Sequence, residues 1–171
     1  MALIKRCHHS KSVVNRRQVP TTHKPQKASH MSEVPQVLGI ILCERVLQDV
    51  LRRDAISCIN IHNGMTVQEF PAVVPLVFAF AQVSGSHHEF NYQFKMIDRQ
   101  AQVIAISPVA KVEPLPNRYM THKIISAFSG LMFREEGMYN VVLSLDGVEV
   151  GSLPFQVIQV PPEGQTPVGN A

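Results

Sequence analysis

The chain has 171 residues, 45% of them hydrophobic and 17% charged, with a formal net charge of +3. That is enough apolar material for one packed core and too much for a chain disordered throughout. The apolar runs fall far short of the ~20 residues that a membrane-spanning helix needs. Three cysteines at no ligand spacing provide neither a disulfide framework nor a zinc site.

The charge is unevenly placed. Met1 to His30 carry Lys5, Arg6, Lys11, Arg16, Arg17, Lys24 and Lys27 and no Asp or Glu. The remaining nine Lys and Arg face all 13 acids, so Met31 to Ala171 carry about −4. A mildly acidic domain argues against a nucleic-acid-binding face on the domain itself. Residues 1–33 read as a basic, disordered tail, with Met31 as an alternative start. Three readings of it stand side by side: a solvated extension, an arm that holds nucleic acid or an anionic surface by counterion release, and an Arg-rich, acid-poor transit segment. No apolar signal region precedes the cysteines, so a cytoplasmic protein with reduced thiols is expected, and a Cys43–Cys58 disulfide is the minor alternative.

The domain is expected over residues 34–160. Val37 to Cys43 is an apolar, β-branched run and predicts a buried first strand. Val46, Leu47, Val50 and Leu51 then fall at helical spacing, with Glu44, Arg45, Gln48, Asp49, Arg52 and Arg53 on the other faces, which predicts one short helix. Ile56 to Ile61 predicts a second strand. Asn63-Gly64 signals a type I′ hairpin into Met65 to Phe70, because that turn needs positive φ at both central residues. Pro71 and Pro75 bracket a segment expected to cross between sheets at an edge, since proline donates no ladder hydrogen bond. Leu76 to Val83 is a strand whose alternate residues Leu76, Phe78 and Phe80 are large.

The clearest alternation follows. Phe90, Tyr92, Phe94 and Met96 point one way, with Glu89, Asn91, Gln93 and Lys95 the other, as in an antiparallel sheet with one wet face. A turn at Asp98 to Gln100 leads to a strand over Ala101 to Ser107. Pro108, Pro114 and Pro116 mark a long connection. His122 to Phe133 is strand-like, and Glu135-Glu136-Gly137 turns the chain. Tyr139, Val141, Leu143 and Leu145 alternate through the next strand. Asp146-Gly147 makes a tight hairpin, and Leu153 to Val160 closes the sheet. Residues 161–171 read as coil. Seven to nine short strands with turns about every ten residues predict an all-β, immunoglobulin-like antiparallel sandwich. Gly137-Met138-Tyr139 fits a corner at which the tyrosine hydroxyl folds back onto the backbone, a packing role and not an acid–base one.

The strand ending in Cys43-Glu44, the "FPAVVP" of Phe70 to Pro75, "GSHHEFNYQFKMID" and the closing "EEGMYNVVLSLDGVEVGSLPFQV" together resemble one family. It is a group of small, uncharacterised bacterial proteins filed as a domain of unknown function. The resemblance covers about Val37 to Val160 and implies an immunoglobulin-like sandwich. It implies no chemistry, and the segment "RVLQDVLRRDA" departs from it by looking more helical than a short polar loop.

No catalytic constellation emerges from the residues themselves. His87-His88-Glu89 reads as a polar loop tip, because adjacent residues in an extended segment point apart. Cys58 and His62 supply only two of the four ligands of a structural zinc. Ser129-Gly130 lacks the first glycine of a nucleophile elbow. Glu135 and Glu136 read as solvated turn charges, and Asp54, Asp98 and Asp146 as turn residues bonding their own backbone. No catalytic, cofactor-binding or metal residue is therefore assigned, and no cofactor is expected. The expected function is a non-enzymatic interaction module working through a sheet face or edge strand. Its partner is an unknown protein or a second copy, and no membrane is expected. The alternative is tethering to nucleic acid or an anionic surface by the tail.

Overall fold

The computed structural model describes residues 35–52, 54–84, 88–117 and 119–160. The chain divides into two units, Met1–Met31 and Ser32–Ala171, and every described residue belongs to the second. The expectations for the basic tail, for Arg53, for His87 and for the coil after residue 160 lie outside the described residues.

Among the described residues there are ten strands and no helix. They are β1 (Gln36–Gln48), β2 (Ile56–Ile61), β3 (Gly64–Val67), β4 (Ala72–Ser84), β5 (Phe90–Ile97), β6 (Val103–Ile106), β7 (Ala110–Val112), β8 (His122–Phe133), β9 (Gly137–Leu145) and β10 (Val148–Gln159). A four-stranded sheet runs β2-β1-β4-β8, and a six-stranded sheet runs β3-β10-β9-β5-β6, with β7 also pairing β5. All pairs are antiparallel except β3 with β10, which is parallel.

The core lies between the sheets. Val77, Ala79, Ala81 and Val83 of β4 face Phe94 and Met96 of β5, Val141 and Leu143 of β9, and Phe155 of β10. Tyr139, Phe133 and Phe155 meet edge-on or tilted, with ring centroids 4.8–5.9 Å apart. The expected alternation of β5 holds, with Phe90, Phe94 and Met96 buried and Asn91 exposed. Tyr139 also does what its position predicts: its hydroxyl donates to the Glu135 carbonyl at 2.8 Å, tying the start of β9 to the turn before it. Asp146 (φ 46°) and Gly147 (φ 81°) form the hairpin between β9 and β10.

Four expectations fail. Ten strands form instead of seven to nine, because the segment after Pro108 is not all connection: Ala110–Val112 pairs with Phe90, Asn91 and Tyr92 of β5 as an extra short strand. The predicted helix after the first strand is absent, because β1 continues to Gln48 and pairs with β2 through Arg45–Ile59, Val46–Cys58 and Leu47–Ser57. Asp49 ends the strand instead: its Oδ1 accepts the amides of Leu51 and Arg52 at 2.8 and 2.9 Å, closing a turn rather than starting a helix. Asn63-Gly64 is not a hairpin. Neither residue has positive φ, and β3 crosses to the other sheet to run parallel to β10. Glycine suits the crossing because a Cβ at position 64 would lie 3.0 Å from the Gln156 carbonyl oxygen, a tight approach to β10. Pro75, finally, lies inside β4, a central strand. The β1–β4 ladder stops at Cys43–Phe78, so Pro75 sits where β4 has only β8 beside it, and the ladder pairs Val74 with Leu131 and Leu76 with Ser129 on either side.

Tyr139→Phe removes the corner bond and leaves the ring in place. Chemical denaturation should show a loss of about 1 kcal/mol with an unchanged m value.

Candidate functional site: the outer face of the four-stranded sheet

Residues paired directly across a ladder share a face of the sheet. The inner face of β4 is set by Val77, Ala79, Ala81 and Val83, so Leu76, Phe78 and Phe80 point outward. Their ladder partners build the outer face row by row. One row runs Ile61–Cys43–Phe78–Ala127, and the next Ile41–Phe80–Ile125. Past the end of the β1–β4 ladder the face continues with Ile59 beside Arg45 on one side and Leu76 beside Ser129 on the other. Beyond Gly130, whose φ of +62° reverses the alternation of β8, the face continues through the directly paired Val73 and Met132.

This face is apolar where an antiparallel sheet usually meets water. Cys43 and Phe80 at its centre are buried, whereas Ile61 (53%), Leu76 (45%) and Val73 (57%) around them stand exposed. The β1–β2 turn adds Val50 and Leu51, 88% and 94% exposed. Charge is confined to Arg45 and, in the row of Gln82, to Lys123. The outer face of the six-stranded sheet is different, carrying Gln93, Lys95, Asn140, Glu149 and Ser152. Lys95 and Glu149 approach to 3.9 Å there. Extended apolar patches of this kind mark interaction surfaces in soluble proteins.

The residues weighed for chemistry do not converge. Among the described residues no three His, Cys, Asp or Glu side chains are grouped to hold a metal ion. Glu89 is exposed and paired with Lys111 at 2.7 Å. His122 is buried in the core with its ring edge-on to Phe90 at 5.0 Å. Ser129 is exposed on the outer face, and Glu135 gives its carbonyl to Tyr139. Asp98 accepts the amides of Gln100 and Gln102 at 2.9 and 2.8 Å, as a turn aspartate should. Asp146 departs from that pattern, because its Oδ1 accepts the Asn91 amide at 2.8 Å and so ties the β9–β10 hairpin to β5. The backbone carbonyl of Asp54 accepts a bond from Lys123 Nζ.

Three recesses lie among the described residues. One of about 410 Å³ lies at the corner end between Asp98, Gln102, Met132, Arg134 and Tyr139, where the acid and the phenol are already committed. Another of about 440 Å³ lies on the polar face by Asn140, Glu149 and Ser152. A third of about 90 Å³ reaches Ser144, whose buried Oγ has no hydrogen-bond partner.

The two described cysteines are free thiols. Burial pushes the Cys43 thiol up to about 11, and the neighbouring Cys58 adds to the effect; the thiol donates to the Arg45 carbonyl at 3.4 Å. Cys43 is packed as a small apolar group in the centre of the face.

Residues 38–158 match the model of a family of unknown function (DUF6941). The chain belongs to this family. The matched span runs from β1 into β10 and so takes in both sheets and the apolar outer face. No curated protein matches the chain. Among solved structures it is similar to the Pseudomonas fluorescens alkylpurine DNA glycosylase AlkC bound to DNA containing an abasic site analog. The identity is 10% and the TM-score 0.39, over 72% of this chain and 30% of that one. Among the described residues no helix is long and apolar enough to cross a membrane.

The thiol of Cys43 binds its proton more tightly in the folded chain than in the unfolded one, where the ordinary value is 9.0. Its contribution to stability is whole below about pH 9 and is lost as the pH rises towards about 11. The denaturation midpoint should fall more steeply over that range for the native chain than for Cys43→Ala.

Proposed function

We propose that the chain is a non-enzymatic interaction module that binds another protein chain through the outer face of its four-stranded sheet. The observation that supports this is the apolar surface spanning β2, β1, β4 and β8, with Ile61, Leu76 and Val73 exposed on it. The polar side chains brought near one another are bonded to backbone or paired as exposed ions, a pattern of structural use and not of catalysis. Among the edges, β3, β6 and β7 are poor sites for strand addition because they have only three or four residues each, and β2 is bent by Asn60 at φ 54°; β8, with 12 residues, is a long edge and borders the same outer face.

The same reading takes the architecture as immunoglobulin-like. It rests on the split into two packed sheets, the parallel pairing of β3 with the last strand, β10, and the Tyr139 corner. Free thiols on β1 and β2 suit a reducing bacterial cytoplasm.

Affinity capture tests the reading. The full chain serves as bait in lysate of its source organism with an untagged copy of itself co-expressed, beside the double variant Ile61→Lys, Leu76→Lys. A protein held by the native bait and depleted at least about tenfold with the variant is the expected result. Equal capture by both baits, or capture of nothing but nucleic acid, contradicts it.

A further inference from the structure

The register of the outer face carries a proposal about what covers it. We infer that the face is covered by a second copy of the chain, packed sheet on sheet about a twofold axis that lies along the strands between β1 and β4. The inference rests on the reading of this face as an interaction surface and names its partner.

The size of the face fits. Its four strands have 13, 6, 13 and 12 residues. At ~4.8 Å between strands and ~3.4 Å per residue they span about 700 Å². Each partner in a standard interface contributes roughly 800 Å². A pair of such faces therefore makes an interface of ordinary size without help from another element.

The shape fits as well. An axis along the strands keeps each residue at its own level and reverses the order of strands, so β1 lies over the partner's β4 and β2 over the partner's β8. In the central row, large then meets small: Ile61 lies over Ala127, and Phe78 over Cys43. In the row beside it Ile59 lies over Ser129, and Arg45 over Leu76. Alternating bulk of this kind lets two sheet faces interdigitate at about the 10 Å spacing of a sandwich. The charges do not object. Arg45 falls over an apolar residue, where its aliphatic stem can pack while its guanidinium reaches water, and Lys123 stands two rows from the central one on the other side, in the row of Gln82. No cation of one copy meets a cation of the other at the centre. A face whose centre is apolar, opposed to itself, also avoids the repulsion that rules out self-pairing of charged surfaces.

The arrangement makes a demand that a general hydrophobic surface does not. Ala127 is small, exposed and opposed by the partner's Ile61, so enlarging it should clash, and shrinking Ile61 should relieve the clash. Sedimentation equilibrium of the full chain tests this directly, with circular dichroism as the check that each variant is folded. Variants Ile61→Lys, Ala127→Leu and the pair Ile61→Ala, Ala127→Leu are compared with Val103→Lys, which is exposed on the other sheet. The native chain should move from its 19.1 kDa monomer mass towards twice that value as concentration rises. Ile61→Lys and Ala127→Leu should each weaken the dimer at least about tenfold, the paired variant should recover most of that loss, and Val103→Lys should have no effect. A native chain that stays monomeric at every concentration overturns the second copy as partner. A dimer that survives both single variants overturns this face as its seat. If the monomeric chain still captures a protein from lysate that the Ile61→Lys, Leu76→Lys bait loses, the interaction module stands and only its partner changes. If it captures nothing, both readings fall.

Discussion

Strand β4 turns its small side chains towards the core and its large ones away from it, and the rest of the structure is arranged around that inversion. Val77, Ala79, Ala81 and Val83 make a low inner surface onto which the six-stranded sheet can bring Phe94, Met96 and Phe155. Leu76, Phe78 and Phe80 are left outside, where β1 and β8 surround them with Ile41, Cys43, Ile125 and Ala127. A sheet with two apolar faces has to be covered twice. The six-stranded sheet covers one face, and the exposure of Ile61 and Leu76 shows that the second face is still open among the described residues.

The polar residues are consistent with that division of labour. Ser107 is buried, and its Oγ accepts the Phe94 amide at 3.0 Å, holding the segment after β6 against β5. Tyr92, on the inner side of β5, donates across the sandwich to the Ile125 carbonyl at 3.1 Å. Gln159 Nε2 reaches the Gln68 carbonyl at 3.0 Å and steadies the crossing that follows β3. Each satisfies a backbone group that would otherwise be costly to leave unpaired.

Much of the fold was legible where one periodicity stood alone. The alternation from Phe90 to Met96 has polar partners on every second residue, so its buried face could be named in advance. The corner at Tyr139 and the Asp146-Gly147 turn were legible because each depends on local geometry. The failures share one physical cause, which is that the local signal had two solutions. Val46, Leu47, Val50 and Leu51 fit a helix by spacing, but they also fit the end of a strand and the tip of its turn, and pairing with β2 decided between them. Gly64 favours a close approach to β10 and does not supply positive φ. The candidate face was half visible, since Leu76, Phe78 and Phe80 stood out by size. With apolar residues on both sides of β4, period two could not say which side was the core, and only the register with β1 and β8 does.

The central claim is that the outer face is held open for another copy of the chain. Equilibrium unfolding in denaturant at a series of protein concentrations tests it most directly, since a partner that binds only the folded chain adds stability by mass action. The account predicts a midpoint that rises with concentration for the native chain and stays fixed for Ile61→Lys. A native midpoint independent of concentration would contradict it.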